Sequence, residues 1–114
     1  MAEKISDKAW SDFSDSDYTP EQMAKACLIF MGGDAGVKSN YKLRVREPDG
    51  TLNRNGVHAA AQRLGQTDAP KPLLEEAARK LVRLYGTLGE SAPDSVMSMA
   101  NMRVNSAIRQ MAGR

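Results

Sequence analysis

The chain has 114 residues, a net charge of +2 and an apolar content of 41%, which describe one soluble globular domain and exclude two ordinary ones. Only 5% of the residues are aromatic, so leucine, valine, alanine and methionine must form most of the core. No apolar run approaches the roughly 18 residues of a membrane span, and the first residues lack the apolar block of a secretory signal. The single cysteine, Cys27, excludes an internal disulfide and indicates a reducing cytoplasm.

The charges are unevenly distributed along the chain. Residues 1–34 carry seven acidic side chains and three lysines, whereas residues 35–114 carry 13 basic and seven acidic side chains. The prediction is an acidic arm at residues 1–17 beside a basic body, and two consequences stay open: the arm folds across the body, or the body attracts an anionic partner. Trp10 and Phe13 are the expected anchors of the arm, to the body or to a neighbouring protein, and a flexible tail is the alternative.

The first helix is predicted from "YTPEQMAKACLIFMGG". Thr19 is its N-cap, and Gln22 completes a capping box with it. Apolar side chains on one face are expected to continue the helix through Met31, where two glycines end it. On this interpretation Cys27 lies in the apolar stripe as a small core residue.

A β-hairpin is predicted at about residues 41–53. Apolar and basic side chains alternate over residues 41–46, the period of a half-buried strand. "EPDGT" predicts a type I turn in which Gly50 has positive φ, and a short return strand follows. Asn55 is the preferred N-cap of the second helix, with Asn53 as the alternative.

Two further helices complete the fold. The third has a strong amphipathic pattern, with Thr67 or Asp68 expected as its N-cap. Residues 91–114 predict a methionine-rich last helix in which Met97 belongs to the inward stripe, whereas Met99 and Met102 fall outside it. The predicted fold class is mainly α, with about four helices and one small hairpin in a single compact domain whose helical body spans residues 18–90.

Candidate catalytic and metal-binding residues are scarce. Cys27 and His58 are the only residues of their types, and the pattern does not bring them together as a nucleophile and a base. Zinc needs several such ligands at set spacings, and "GGDAG" lacks the Gly-Lys-Ser/Thr ending of a phosphate loop. We therefore predict no enzyme activity, no cofactor and no metal.

Two surfaces are candidates for binding a partner. The first is a basic face on and near the predicted strand, and its members are Lys42, Arg44, Arg46 and Arg54. These cations could bind the phosphates of a nucleic acid or the acidic side chains of a partner protein. The second is formed by Met99 and Met102, whose adaptable side chains suit a protein interface. The partner at this second surface is another protein or a second copy of the chain.

A wider resemblance is carried by the order of four segments: "ACLI", "KSNYKLRVREPDGTLNRNGVHAAAQRL", "AARKLVRLYGTLGE" and "PDSV". This order resembles a small domain of tailed-bacteriophage proteins, which is often attached to head-maturation proteases or other virion-assembly polypeptides, especially in phages of actinobacteria. The resemblance spans roughly residues 20–96. It implies a phage-encoded virion or assembly protein and does not imply protease activity.

Together these observations predict a non-enzymatic protein-interaction module that acts as a minor structural, decorating or assembly component of the phage head. Capsid or other head proteins are the expected partners, the host cytoplasm is the expected location during infection, and incorporation into the virion follows from a structural role. One alternative is a modulator that binds a host protein. The other is a nucleic-acid-binding protein that uses the basic face. No membrane partner is expected.

Overall fold

A computed structural model describes residues 3–100 of the chain, and within them four α-helices and four short strands surround one main core. The helices are α1 (Pro20–Ala26), α2 (Arg54–Arg63), α3 (Lys71–Leu88) and α4 (Asp94–Ala100). The strands are β1 (Ile5–Ser6), β2 (Cys27–Phe30), β3 (Tyr41–Arg44) and β4 (Leu52–Asn53). The predicted fold class, mainly α with a small β part, is confirmed. No helix among these combines the length and the apolar character needed to cross a membrane.

Helix α1 begins where the sequence predicts and ends earlier. Thr19 Oγ1 accepts a hydrogen bond from Gln22 N at 3.2 Å, and Gln22 Oε1 accepts one from Thr19 N at 2.8 Å, so the capping box is complete. The predicted extension through Met31 is wrong, because Cys27–Phe30 pairs as β2 with β3 in antiparallel orientation. A continuous apolar run suits either a helix or a buried strand, and here the strand places Ile29 in the main core.

The turn after β3 forms as predicted. Gly50 N donates to Glu47 O at 2.8 Å, Glu47 N donates to Thr51 O at 2.8 Å, and Gly50 has a φ of +92°. Arg46 lies opposite Leu52 in an antiparallel bridge, so the turn closes a short hairpin. Strand β4 also pairs in parallel with β1 from the arm, which the sequence did not predict.

Asn53, the alternative N-cap, begins α2, and the preferred Asn55 does not. Asn53 Oδ1 accepts from Gly56 N at 2.8 Å, while Asn53 Nδ2 donates to Glu47 Oε2 at 2.8 Å and to Lys8 O at 3.1 Å. Both Asn53 and Glu47 are buried. One side chain therefore joins the arm, the turn and the helix, whereas the exposed Asn55 only donates to backbone oxygens of the arm.

Helix α3 contributes a continuous apolar face to the main core, and the side chains that it buries are Ala77, Ala78, Leu81, Tyr85 and Leu88. It begins after Pro70 without a side-chain cap, so the predicted caps Thr67 and Asp68 are wrong. Thr67 Oγ1 instead donates to Arg63 O at 2.8 Å, at the end of α2. Gly89 ends α3 with a φ of +74°, a conformation that favours glycine.

Helix α4 packs on α3 with Ala100 inward, as the predicted stripe has it, but with two methionines placed differently from the prediction. Val96 and Ala100 are buried, Met97 is 42% exposed, and Met99 packs against the main core. The inward position predicted for Met97 and the outward position predicted for Met99 are both wrong, because α4 meets α3 with Met97 exposed and Met99 packed against the core. Met102 lies outside the described residues, as does the rest of the predicted last helix.

Candidate functional site

The acidic arm lies across the basic face and pairs with most of its cations. The pairs are Arg46 with Glu3, Arg54 with Asp7 (Nε–Oδ1 2.7 Å) and Arg44 with Asp15 (Nε–Oδ1 3.0 Å). Each carboxylate is partly or largely exposed, so a single pair contributes little stability. Of the two consequences of the uneven charge distribution, the arm folding across the body is therefore the one observed.

Two aromatic side chains attach the arm to the body. Trp10 contacts Gly56 of α2 so closely that a Cβ atom added to Gly56 would lie 2.8 Å from Trp10 Cζ3. The Phe13 ring lies 5.8 Å from the Trp10 ring, centroid to centroid, and packs against the small apolar cluster that contains Tyr18. Both predicted anchors thus bind the arm to its own body.

Arg44 is more enclosed than Arg46 or Arg54, with a side chain that is 15% exposed. Its guanidinium carbon lies 5.1 Å from the centroid of the Trp10 ring and 4.8 Å from that of the Tyr18 ring, within the range of cation–π attraction. Arg44 Nη1 is buried without a hydrogen-bond partner among the described residues. Burial raises the pKa of Tyr18, whose hydroxyl donates to Arg46 O at 2.6 Å. Arg44 therefore holds the arm and the body together.

Lys42 differs from the three arginines because it forms no ion pair among the described residues. With Arg44 it lines an open cleft of about 440 Å³ between the arm, β3 and the end of α2. We call this the cationic cleft, and its charged lining residues are Lys38, Lys42, Arg44, Arg63, Asp15 and Asp68. The next residue, Leu43, has a φ of +64°, a left-handed conformation that costs a large side chain of order 1–3 kcal/mol. The Leu43 side chain packs against the main core, which holds the strained backbone in place.

A second open surface lies at the loop between β2 and β3. We call it the apolar tip, and it consists of Phe30, Met31 and Val37, whose exposed fractions are 42%, 37% and 42%. Met31 N donates to Asn40 O at 2.7 Å, and the Phe30 ring lies 5.0 Å from the Tyr41 ring. This surface was not predicted, because Phe30 and Met31 were expected in the apolar stripe of a longer first helix. The available signal was the run "ACLIFM", since six consecutive apolar residues cannot all face one side of a helix.

Cys27 and His58, the two residues considered for catalysis, have separate surroundings. Burial raises the pKa of the Cys27 thiol to about 12, against the opposing effect of Arg44, so the thiol is protonated at neutral pH. His58 Nε2 lies 2.7 Å from Glu90 Oε1, and its ring stacks on Tyr85 with centroids 5.7 Å apart. Within residues 3–100, no group of three or more His, Cys, Asp or Glu side chains is placed to hold a metal ion.

Glu90, which the sequence analysis did not single out, connects α2 to the chain that follows α3. One carboxylate oxygen contacts His58, and the other pairs with Arg54 Nη1. The hydrogen bond with His58, followed by that with Arg54, holds the pKa of Glu90 below its ordinary value. Because Arg54 also pairs with Asp7, it links the arm to both helices.

Comparison of the chain with known protein families, with curated proteins and with solved structures finds no match. The resemblance to the phage domain therefore stays a prediction. Among the surfaces described above, the three arginines of the basic face are paired with arm carboxylates, while the cationic cleft, which includes Lys42, and the apolar tip are open.

Proposed function

We propose that the protein is a non-enzymatic protein-interaction module whose apolar tip binds another protein. The observation that carries this proposal is the exposure of three large apolar side chains within one short stretch, residues 30–37. Single exposed hydrophobic residues are common on soluble proteins, whereas a group of them favours a partner that removes the group from water. Aromatic residues and methionine are also enriched at protein interfaces, which supports the same proposal.

The closed basic face supports a protein partner over a nucleic acid. Nucleic acids bind to cations that are free to replace the counterions of the phosphates. Three of the four cations of the basic face already pair with arm carboxylates, so phosphates would have to displace these acids. The apolar tip has no such competitor among the described residues.

The identity of the partner is proposed from the resemblance alone. In this proposal the partner is a capsid or other head protein of a tailed phage, and the protein is made in the host cytoplasm as a minor structural, decorating or assembly component. A host protein is the alternative partner, since an apolar tip suits both. Quantitative mass spectrometry of purified virions separates the two, because a structural component is present in many copies per particle and a host-directed factor is not.

Affinity purification of the tagged protein from phage-infected cells, with and without nuclease, tests the proposal. The tip variant Phe30→Ser/Met31→Ser/Val37→Ser removes the apolar surface, and the matched control Met97→Ser removes an equally exposed apolar side chain from α4. We expect the wild type and the control to recover head proteins with or without nuclease, and the tip variant to lose most of this recovery while keeping a wild-type circular dichroism spectrum. Undiminished recovery by the tip variant contradicts the proposal, as does recovery that nuclease abolishes.

A further inference from the structure

The cationic cleft contains positive charge that the fold does not neutralise. Arg44 and Lys38 are held by Asp15, through the 3.0 Å ion pair and through a 3.2 Å hydrogen bond from Lys38 Nζ to Asp15 O. Lys42 and Arg63 have no ion-pair partner within residues 3–100. Two cations are thus left at the wall of a cleft whose volume, about 440 Å³, admits several atoms of a ligand.

The backbone of the cleft wall is strained at one position. Leu43, with a φ of +64°, lies between Lys42 and Arg44 in β3, and all three residues line the cleft. Backbone strain of this kind persists only where the surrounding structure enforces it, and it is concentrated at binding sites. The strain is an observation independent of the charge, and it points to the same place in the fold.

The acidic arm indicates which kind of ligand the basic body can bind. The arm is polar and ends in the serine- and aspartate-rich stretch "WSDFSDSD" at residues 10–17. The carboxylates of Glu3, Asp7 and Asp15 reach three arginines of the body. Asp15, near the end of the arm, lines the cationic cleft, so the cleft continues the surface that already contacts this segment. An acidic stretch of polypeptide is therefore the ligand whose charge the body accommodates.

The aromatic side chains at the cleft favour a carboxylate ligand over a nucleotide. Proteins that hold single-stranded nucleic acid combine cations with aromatic rings on which bases stack. At this cleft Trp10 already contacts Arg44 and Gly56, and the Tyr41 ring already packs, tilted, against the Phe30 ring. The cleft thus offers charge, while its aromatic rings are engaged within the fold.

We propose that the cationic cleft binds an acidic segment of a protein partner, whose carboxylates pair with Lys42 and Arg63. The inference rests on the proposed function, because the acidic segment belongs to the protein partner proposed there. Tyr41 lines the cleft and its ring packs, tilted, against Phe30 of the apolar tip, so one partner can reach both surfaces. Since the site is open to solvent, binding is expected to weaken as ionic strength rises.

Titration with hexaglutamate at low ionic strength tests the inference. Trp10 is the only tryptophan and lines the cleft, so its fluorescence reports binding directly. The cleft variant is Lys42→Gln/Arg63→Gln, and the matched control, Arg79→Gln/Arg83→Gln, removes the same charge from exposed positions of α3. We expect hexaglutamate to bind the cleft variant about tenfold more weakly than the wild type, and the control within about twofold of the wild type.

Three results overturn the inference. If the wild type shows no saturable binding of hexaglutamate, the cleft is not a carboxylate site. If both double variants weaken binding equally, net charge accounts for the effect. If single-stranded oligothymidylate of equal charge binds more tightly than hexaglutamate and shows the same loss in the cleft variant, the ligand is a nucleic acid.

The tip variant separates this inference from the proposed function. We expect Phe30→Ser/Met31→Ser/Val37→Ser to bind hexaglutamate like the wild type while it loses the recovery of head proteins. If hexaglutamate binding fails but head-protein recovery still depends on the tip, only the cleft inference is wrong. If hexaglutamate binds as expected but the tip variant keeps its partners, the proposed function is wrong and the cleft stands.

Discussion

Strand β3 connects two surfaces of different chemistry. At its start the Tyr41 ring packs, tilted, against Phe30 of the apolar tip, and at its end Arg44 belongs to the basic face. The basic face is covered by an arm of the same chain, because an attached carboxylate is always at a high local concentration. Within the described residues the apolar tip is left exposed. A chain can neutralise its own charged surface with a tethered segment, whereas in our proposal the apolar tip is removed from water by a partner protein.

The packing of the arm over the basic face depends most strongly on Asn53. Asn53→Ala removes the N-cap of α2, which contributes about 1 kcal/mol. It also leaves the buried Glu47 carboxyl without its partner, at a cost of about 1–3 kcal/mol. We expect the free energy of unfolding to fall by about 3 kcal/mol in urea denaturation. The control Asn55→Ala, at an exposed position that also contacts the arm, should cost less than about 1 kcal/mol; equal losses would mean that Asn53 does not join the three segments.

Gly56→Ala tests the contact between the arm and α2. The added Cβ would lie 2.8 Å from Trp10 Cζ3, so we expect a loss of about 1–3 kcal/mol and a more exposed Trp10 in acrylamide quenching. Gly86→Ala is the control, because Gly86 lies within α3 and a Cβ added there has no neighbouring atom within 4 Å. The better helix propensity of alanine should therefore stabilise the fold by up to about 1 kcal/mol. If both substitutions stabilise the protein, Trp10 does not press against α2.

Removing the arm carboxylates should make the arginines of the basic face available to a ligand. Glu3→Gln/Asp7→Asn/Asp15→Asn leaves the three arginines of the basic face without their arm partners. We expect the affinity for a single-stranded oligonucleotide to rise about tenfold at low ionic strength, with a steeper salt dependence, in fluorescence anisotropy.

The control for this variant removes the same charge without opening the basic face. Asp12→Asn/Glu21→Gln/Glu75→Gln replaces three acids that form no ion pair among the described residues. Its oligonucleotide affinity should rise much less. An equal rise in both variants would assign the effect to net charge and contradict the idea of an arm that covers specific cations.

The smallest expected effect is on the free energy of unfolding at acid pH. Because the folded-state pKa of Glu90 lies below its ordinary value, this group contributes stability above that ordinary pKa and loses the contribution as pH falls through the lower, folded-state pKa. Glu90→Gln lacks this dependence, so urea denaturation between neutral pH and about pH 3 should show a smaller loss than in the wild type. Identical profiles would mean that His58 and Arg54 do not hold the carboxylate.

The elements that local interactions specify could be predicted from the sequence. The start of α1 is set by Thr19 and Gln22, and the turn is closed by Glu47 and Gly50, so each signal lies within three residues of its partner. Helix α3 was predicted because its apolar side chains recur with the helical period. In each case the residues that determine the structure are neighbours along the chain.

The features that depend on distant partners could not be predicted. The sequence of β2 alone fits a helix, and its pairing with β3 is what makes it a strand. The sequence of β1 has no strand pattern of its own, and this segment becomes a strand by pairing with β4. The ion pairs of Arg46 with Glu3 and of Arg54 with Asp7 join residues 43 and 47 positions apart. The cations of the basic face were therefore recognised by their chemistry, while their pairing was not. The exposure of Met97 likewise depends on how α4 meets α3.

Site-specific photocrosslinking in phage-infected cells tests the contrast between the two surfaces most directly. Benzoylphenylalanine is introduced at Phe30, in the apolar tip, or at Arg46, in the basic face that the arm covers. We expect a crosslink to a head protein from position 30 and none from position 46. A crosslink from position 46, with none from position 30, would place the partner on the basic face and contradict the account.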